Sequence, residues 1–455
     1  MIVLYSLLII SYFLNLFIHS TFLTYTIGIL ALISLLFSLK SAKNLFKVVG
    51  SIFFVVGFFI FIYQQRSFTE VPLYMTTTVS LLAVFYVLPF INSIIIVGRY
   101  DQQVNKLLRV RIHHLGQLYY RSSFAAFLLG GFLNIATLPL LKTVVQKNLV
   151  GETQNIKNRF ISQSLLRGYS LSLLISPMEL LVVLSVEYTH VSYPVYLPWL
   201  FLITVLLFVL NWVIGFKSFK RYELPNETSA HKTEAQSATE IGINTRMSRK
   251  IFSLFLYLIG FMMTIVLFNH IFDMGFLQTV ALIIIPFSFV WALSIRRLKS
   301  YIAYCLPLWQ IRTVGLTDNM VLFLSVGFFT SNLNDSIFMN YIQKPFEYLT
   351  TTPILLFVFI QILFIGLAMI GFHPLVTISI LGGVLEPIIH SINPVSVGLV
   401  LMTSGLSTTI AGPFNLSVSL TANLLSINSY KVSFWNLGYA LIMSSIGTII
   451  AIILL

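Results

Sequence analysis

The chain has 455 residues, of which 57% are hydrophobic and only 9% are charged. A soluble domain carries about 25% charged residues, so this composition excludes a water-soluble fold. The net charge is +13, but the cations lie in short loops between apolar runs, where they orient helices by the positive-inside rule. We therefore expect a lipid bilayer around the chain and no nucleic-acid partner. The single cysteine, Cys305, excludes an intrachain disulfide and a cysteine-rich metal site.

Apolar runs of membrane-spanning length recur from residue 2 to residue 455. A helix needs about 20 apolar residues to cross a hydrocarbon core of about 30 Å. The runs are too long and too continuous for the strands of a membrane β-barrel. They predict an all-α polytopic membrane protein of about 11–13 transmembrane segments, multi-pass in the cell membrane.

Polar segments divide this pattern in chain order. Residues 1–44 form N-terminal helices, and the basic segments 99–121 and 296–316 read as amphipathic helices at the membrane interface. Residues 217–250 are hydrophilic, carry seven Lys and Arg, and are predicted to be a flexible cytoplasmic linker. This linker separates a first half, 45–216, from a second half, 251–455.

The two halves share landmarks that lie 197–200 residues apart. The matched pairs are Arg99 and Arg296, Asn134 and Asn334, Ser176-Pro177 and His373-Pro374, and Pro194 and Pro394. We interpret them as two structural repeats with broken helices and re-entrant hairpins, near 122–148 and near 318–345. Transporters built from two related halves bind substrate where the broken helices of the halves meet. Chance agreement between common membrane residues is the alternative.

Asparagines near the middle of two apolar runs are the first candidate site residues. Asn134 precedes Thr137 in the first run, and the second run holds Asn332, Asn334 and Ser336. Their amides and the free backbone groups of a hairpin tip could bind a cation or an anion. Hydrogen bonding between packed helices would equally explain such residues.

Asp335 is the acidic residue beside this second cluster. A carboxylate within the membrane costs about 2.5–3.5 kcal/mol on insertion scales and is functional by default. We predict that Asp335, Asn334 and Asn134 couple transport to Na⁺ or H⁺. Helix capping by Asp335, or a position near the interface, remains open.

Helix breaks provide the second set of candidates. Ser176-Pro177 and His373-Pro374 should interrupt helices, because proline lacks a backbone donor. The new helix N-termini suit an anion. Glu179 could pair with Lys142 or Arg167, and His373 could titrate or simply be hydrogen-bonded.

A run of hydroxyl groups in the last quarter of the chain is the third candidate. Its members, with the asparagine that follows, are Thr403, Ser404, Ser407, Thr408 and Asn415. The helix breakers Gly405, Gly412 and Pro413 favour an unwound, substrate-binding stretch, whereas a small-residue packing face is the alternative. No nucleotide-binding loop or metal-protease motif is present. We therefore expect no enzyme activity, no metal site and no cofactor beyond a coupling ion.

These residues resemble the ion transporter superfamily, which includes TRAP-type large membrane subunits, divalent-anion:sodium symporters and arsenite/NhaD-like permeases. Gly-Phe-His-Pro at 371–374 resembles the Gly-x-His-Pro of TRAP-type subunits, and Ser-Asn-Leu-Asn-Asp at 331–335 resembles the hairpin motif of the NhaD-like and arsenite branches. The resemblance implies inverted repeats, two hairpins and an elevator-type movement. It places Asn134, Asn332, Asn334 and Asp335 at hairpin tips, with Ser176, His373 and the 403–409 hydroxyls around the substrate.

The chain departs from this superfamily in three respects. The Ser-Asn-Thr signatures of the divalent-anion branch are missing, which argues against a dicarboxylate. Residues 394–425 form an additional apolar segment in the second half. Both basic interfacial segments would be cytoplasmic, whereas inverted repeats require opposite sides.

Three functions remain open from the sequence. The first is a secondary transporter, of elevator type, for a small anionic solute coupled to Na⁺ or H⁺. The second is a cation/proton antiporter that uses Asp335 and His373. The third is a flippase or membrane enzyme for a lipid-linked substrate, with phosphate held by Arg109 and Arg111. The sequence names neither the solute nor the oligomeric state, and a homodimer remains open.

Overall fold

The structure is a computed structural model that describes residues 1–100, 114–147, 149, 153–222, 235–272 and 274–455. Its first half is built from helices, with short 3₁₀ turns at Phe68–Glu70 and Asn134–Ala136. The helices of this half are α1 (Ile2–Ile18), α2 (Thr21–Ser41), α3 (Asn44–Tyr63), α4 (Val71–Tyr74), α5 (Val79–Val97), α6 (Leu115–Leu133), α7 (Thr137–Lys147), α8 (Gln154–Leu174), α9 (Leu180–Thr189) and α10 (Tyr193–Phe219).

The second half is also helical, with one 3₁₀ segment at Glu386–Ser391. Its helices are α11 (Ala235–Phe272), α12 (Phe276–Ser294), α13 (Leu298–Val314), α14 (Thr317–Asn334), α15 (Ile337–Thr350), α16 (Pro353–Ile370), α17 (Pro374–Leu385), α18 (Pro394–Ala411), α19 (Leu416–Leu425) and α20 (Ser429–Ile453). The predicted all-α polytopic fold is therefore confirmed.

Fewer helices can cross a membrane than the apolar runs predict. Among the described residues, nine spans are long and apolar enough, or ten if α13 and α14, which meet at 54°, form one span. Part of the difference from 11–13 arises because the apolar run 161–189 is broken between α8 and α9, and α9 is too short to cross the membrane alone.

A helical hairpin in the first half comprises α6 and α7. α6 runs parallel to α8, since Tyr119 packs on Phe160 near the start of both helices and Gly130 lies against Ser172 near their ends. The intervening α7 must therefore run backwards to reach the beginning of α8. The chain reverses at Asn134, whose positive φ of 49° is a value that residues other than glycine seldom adopt. The hairpin predicted near 122–148 lies here.

A second hairpin comprises α16 and α17, at residues 353–385. α16 runs parallel to α18, because Phe364 lies against Gly405 and Ala368 against Gly412. The chain reverses at Gly371, whose φ of 111° requires glycine. α17 then leads back to the beginning of α18 at Pro394.

The hairpin predicted near 318–345 is not present. Its first half is α14, which lies lengthwise against α3: Val321 contacts Gly50 and Phe328 contacts Gly57. Asparagine and aspartate occur there because α14 ends at Asn334, not because the chain reverses deep in the fold.

The order of elements after each hairpin is repeated. In the first half, the two hairpin helices begin at residues 115 and 137, the two halves of the broken span at 154 and 180, and the long helix at 193. The same five helices of the second half begin at residues 353, 374, 394, 416 and 429. Corresponding helices therefore begin 238, 237, 240, 236 and 236 residues apart. The spacing of 236–240 residues between corresponding helices replaces the spacing of 197–200 residues that the sequence landmarks suggested. It also removes the conflict over the two basic segments, which are no longer corresponding positions.

The two hairpins open toward opposite ends of α10. The hairpin of α6 and α7 begins beside the C-terminal end of α10, where the Leu115 N–H donates to the Tyr222 carbonyl at 3.0 Å. The hairpin of α16 and α17 ends beside the beginning of α10, where Glu386 Oε1 lies 3.2 Å from His190 Nε2. α10 has 27 residues, about 40 Å of helix, so the open ends are a membrane thickness apart.

Two predicted segments fall partly outside the described residues. The structure does not describe residues 101–113 of the first basic segment or residues 223–234 of the linker. Residues 235–250 of the linker are helical as the beginning of α11, where composition predicted a flexible chain. The cytoplasmic position of the linker remains a prediction.

Candidate functional site

Asn134 lies at the tip of the first hairpin, as predicted. The Tyr169 hydroxyl of α8 donates to Asn134 Oδ1 at 2.5 Å and holds the tip against the broken span. Thr137, which begins α7, is fully buried, and its hydroxyl has no hydrogen-bond partner. An unpaired buried hydroxyl is costly in a dry interior, so this tip has binding capacity that the protein itself does not use.

Ser176 lies in the break between α8 and α9, also as predicted. Its hydroxyl accepts from the Met178 N–H at 3.4 Å, and the Tyr193 hydroxyl donates to the freed Ile175 carbonyl at 2.9 Å. Glu179 precedes α9 and is half-buried. Within the described ranges, Glu179 makes no ion pair with Lys142 or Arg167 at a cutoff of 4 Å, so that expected pairing does not occur.

His373 lies at the tip of the second hairpin and caps α17. Its Nδ1 accepts from the Leu375 N–H at 3.2 Å, and Pro374 occupies the first helical position. The pattern His-Pro thus marks a hairpin tip here, not an interruption within one span as the sequence suggested. This hydrogen bond supports the plainer alternative for His373, that of a capping residue.

The hydroxyl run belongs to an intact helix. Thr403, Ser407 and Thr408 each donate to a backbone carbonyl one turn earlier in α18, at 2.6–2.7 Å. The prediction of an unwound stretch at 403–409 is therefore wrong, and the break lies at 412–415. Within this helix Ser404 is fully buried and its hydroxyl has no hydrogen-bond partner.

Asn415 terminates that break by capping α19. Its Oδ1 accepts from the Ser417 N–H at 3.2 Å, while the Ser417 hydroxyl bonds back to the Thr409 carbonyl across the break. Gly412, Pro413 and Asn415 together occupy the same place in the second unit as Ser176 and Pro177 in the first.

The second asparagine cluster lies elsewhere. Asp335 is half-exposed, and its Oδ2 lies 3.2 Å from both the Arg66 guanidinium and the Tyr74 hydroxyl. Asn334 is exposed and lies against Gly383. The geometry does not bring these residues to Asn134, so it lends no support to coupling through Asp335 and Asn334.

Asn332 and Ser336 are bound within their own helix end. Asn332 Nδ2 donates to the Phe328 carbonyl and the Ser336 hydroxyl donates to the Leu333 carbonyl, both at 2.7 Å. Asn332 is fully buried, and its side-chain oxygen has no hydrogen-bond partner. The bonds indicate a structural role at the end of α14.

The hairpins and the broken spans of the two units contact each other reciprocally. α7 of the first hairpin packs against α19, which follows the break of the second unit. α17 of the second hairpin packs against α9, which follows the break of the first unit. The first halves of the broken spans, α8 and α18, also cross in contact. The two units therefore share one interface built from hairpins and half-helices.

Arg167 is a site residue that sequence reasoning mentioned only as a partner for Glu179. It lies on α8 with 4% of its surface exposed, and no carboxylate lies within 4 Å of it among the described residues. Its guanidinium donates to Asn436 Oδ1 and the Trp435 carbonyl, both at 3.1 Å, and lies 4.9 Å from the centre of the Tyr439 ring. A buried cation held only by neutral groups keeps its charge available to an anion.

Polar side chains connect Arg167 to the N-terminal end of α8. Asn436 Nδ2 donates to the Ser162 hydroxyl at 2.9 Å, and Gln163 Nε2 donates to the Trp435 carbonyl at 2.7 Å. Asn158, one turn before Ser162, is buried and accepts from Gln154 at 2.9 Å. α8 therefore carries a polar stripe along its contact with α20.

That stripe begins at a cavity of about 390 Å³ between α7, α8 and the end of α19. Its polar lining is Lys142 and Gln146 from α7 and Gln154, Lys157 and Asn158 from α8, and Leu424–Ile427 close the remaining side. Among the described residues, this lining holds two lysines and no carboxylate. No group of three metal-binding side chains occurs within the ranges that the structure describes.

Comparison with known proteins gives a likeness at the level of the fold. No family model matches the chain, and no curated protein matches it. Among solved structures, the YdaH transporter of Alcanivorax borkumensis, reported to have an unusual topology, is similar over 84% of this chain and 87% of its own, with a TM-score of 0.56 and 16% identity. The chain is a multi-pass helical membrane protein with the fold of that transporter.

Proposed function

We propose that the protein is a secondary active transporter of a small anionic solute. The observation that carries the proposal is the reciprocal packing of two hairpins and two broken spans that open toward opposite ends of α10. Such units in transporters present free backbone groups to substrate at mid-membrane. We infer that the units form an inverted repeat and that one moves against the other in an elevator-type manner, in keeping with the resemblance to the ion transporter superfamily.

The sign of the solute follows from Arg167. An arginine in the bilayer costs about 2.5–3.5 kcal/mol on insertion scales, and no acidic side chain in the described part of the chain lies within 4 Å to offset that cost. An anion that reaches Arg167 would replace weak neutral contacts by a charge-assisted hydrogen bond. Buried free hydroxyls at Thr137 and Ser404 supply further groups for substrate.

We propose that Glu179, with Asn134, provides the coupling ion site for Na⁺ or H⁺. Glu179 lies in the break between α8 and α9 and has no cationic partner within 4 Å among the described residues, and Tyr169 of α8 holds Asn134 against the same broken span. Asp335 lacks these properties because Arg66 already neutralises it.

Uptake into proteoliposomes tests both the transport and the coupling. Radiolabelled phosphate, monocarboxylates and dicarboxylates are offered under an imposed Na⁺ or H⁺ gradient. We expect at least one anion to accumulate, Glu179→Gln to abolish the gradient dependence, and the matched control Asp335→Asn to retain it. Accumulation of no anion under either gradient rejects the transport proposal, and gradient dependence lost in Asp335→Asn but kept in Glu179→Gln rejects the coupling site.

The cation/proton antiporter is the second candidate, and the unpaired Glu179 favours it, since one titrating carboxylate suffices for exchange. A pH-sensitive dye that responds to added Na⁺ or K⁺ without any organic anion would identify it. The flippase alternative rests on Arg109 and Arg111, which lie outside the described residues.

A further inference from the structure

The cavity at the beginning of α8 has the chemistry of an anion site. Lys142 and Lys157 both line it and are both half-buried, and neither has an acidic partner within 4 Å in the part of the chain that the structure describes. Confining two like charges in one recess is unfavourable unless a counter-charge binds between them. Gln146, Gln154 and Asn158 add amide donors that suit carboxylate or phosphate oxygens.

The position of the cavity relates it to both units. α7 belongs to the first hairpin, α8 to the first broken span, and residues 424–427 end the second broken span. A ligand held here would therefore contact parts of the fold that an elevator-type movement displaces relative to each other.

The polar stripe of α8 links the cavity to Arg167. Asn158 lines the cavity, Ser162 lies one turn further, and Asn436 bridges Ser162 to Arg167. The nine residue steps from Asn158 to Arg167 span about 14 Å of helix. Successive hydrogen-bonding groups thus run from the two lysines to the buried arginine.

We propose that the cavity lined by Lys142, Lys157 and Asn158 is a binding site for a carboxylate- or phosphate-bearing anion. It is also the entry station to Arg167, that is, the site that an anion occupies before it reaches Arg167. The inference of a binding site depends only on the cavity and its lining residues, whereas its role as an entry station rests on the proposed transport function. The oxyanion can belong to a soluble solute or to the headgroup of an anionic lipid, and the two sources share this chemistry.

Calorimetric titration of the delipidated protein in detergent tests the soluble source, with inorganic phosphate and succinate as probes. We expect saturable binding of at least one probe and about tenfold weaker binding in Lys142→Gln/Lys157→Gln. The variant Lys142→Arg/Lys157→Arg should restore binding because it keeps both charges. Lys431→Gln, an exposed lysine on the neighbouring α20 that does not line the cavity, should bind as the unmodified protein does.

Native mass spectrometry from nanodiscs that contain phosphatidylglycerol tests the lipid source. The site would be assigned to a lipid headgroup if the unmodified protein retains phosphatidylglycerol, the double glutamine variant loses it, and neither soluble probe binds. Binding of neither probe and no retained lipid, or equal binding by the double glutamine variant, overturns the site.

Transport measured in the same variants separates this inference from the proposed function. Anion binding without any transport leaves the site standing and rejects the function. Transport with unchanged affinity in the double glutamine variant leaves the function standing and rejects the entry station.

Discussion

At the scale of single residues, the account depends on charges that the fold leaves without a partner. Arg167 is nearly inaccessible yet contacts only neutral groups among the described residues, whereas Asp335, the carboxylate that looked most functional in the sequence, is half-exposed and neutralised by Arg66. Exposed ion pairs contribute about 0–1 kcal/mol. The functional candidates are therefore Arg167 and Glu179.

Replacement of Arg167 tests whether its charge selects the solute. We expect Arg167→Gln to lower anion uptake at least about tenfold, the loss of roughly 1.4 kcal/mol of interaction, and Arg167→Lys to retain an intermediate rate because it keeps the charge without the planar fork. Initial rates of proteoliposome uptake measure both.

The matched control is Arg297→Gln, because Arg297 also donates to a backbone carbonyl, that of Val97, at 2.6 Å, but lies in the contact between α5 and the α12–α13 turn. Equal losses of uptake in the two variants, or a normal rate in Arg167→Gln with a normal gel-filtration profile, would count against a role of Arg167 in anion selection.

At the scale of elements, the second hairpin depends on one residue of its tip. Gly371 has a φ of 111°, which an L-residue adopts only at a cost. Gly366 lies within α16, whereas Gly371 follows the last residue of that helix. Gly366 is exposed and has open space where a Cβ would project, so the two glycines differ in backbone conformation.

We expect Gly371→Ala to destabilise the protein by about 1–2 kcal/mol through backbone strain, and Gly366→Ala to be neutral or slightly stabilising because alanine favours helix. Thermal unfolding in a single detergent measures both. A Gly371→Ala protein as stable as Gly366→Ala would show that the chain does not reverse at Gly371.

Part of this architecture was readable from the sequence. The helix interruptions at Asn134 and Ser176-Pro177 were readable, because a polar residue or a proline inside an apolar run has few explanations other than a break. The second hairpin was misplaced because His373-Pro374 at a reversal and a proline within one span look alike in sequence. What distinguishes them is the parallel packing of α16 on α18, a tertiary contact without a local signal.

The charge partners were equally hidden from the sequence. Asp335 meets Arg66 across 269 positions of the chain, and Arg167 meets Asn436 at the same separation. Nothing in local composition indicates which cation is neutralised and which is not. The hydroxyl run at 403–409 misled for a related reason, since serine and threonine bond back to their own helix as readily as they bind substrate.

At the scale of the whole molecule, the account requires two related units that enter the membrane from opposite faces. The repeated order of elements at spacings of 236–240 residues and the open ends at opposite ends of α10 both point to that arrangement. An elevator-type transporter needs this geometry because each hairpin then faces one side of the membrane.

Side-specific cysteine labelling is the most direct measurement of that claim. Cys305 is buried and is first replaced by serine; single cysteines are then placed at Gln146, near the open end of the first hairpin, and at Thr352, at the open end of the second, both of which are exposed. With a membrane-impermeant maleimide on oriented vesicles, we expect the Gln146 variant to react from one face only and the Thr352 variant from the other face only. Reaction of both variants from the same face would contradict the inverted arrangement, and with it the transport mechanism proposed for this fold.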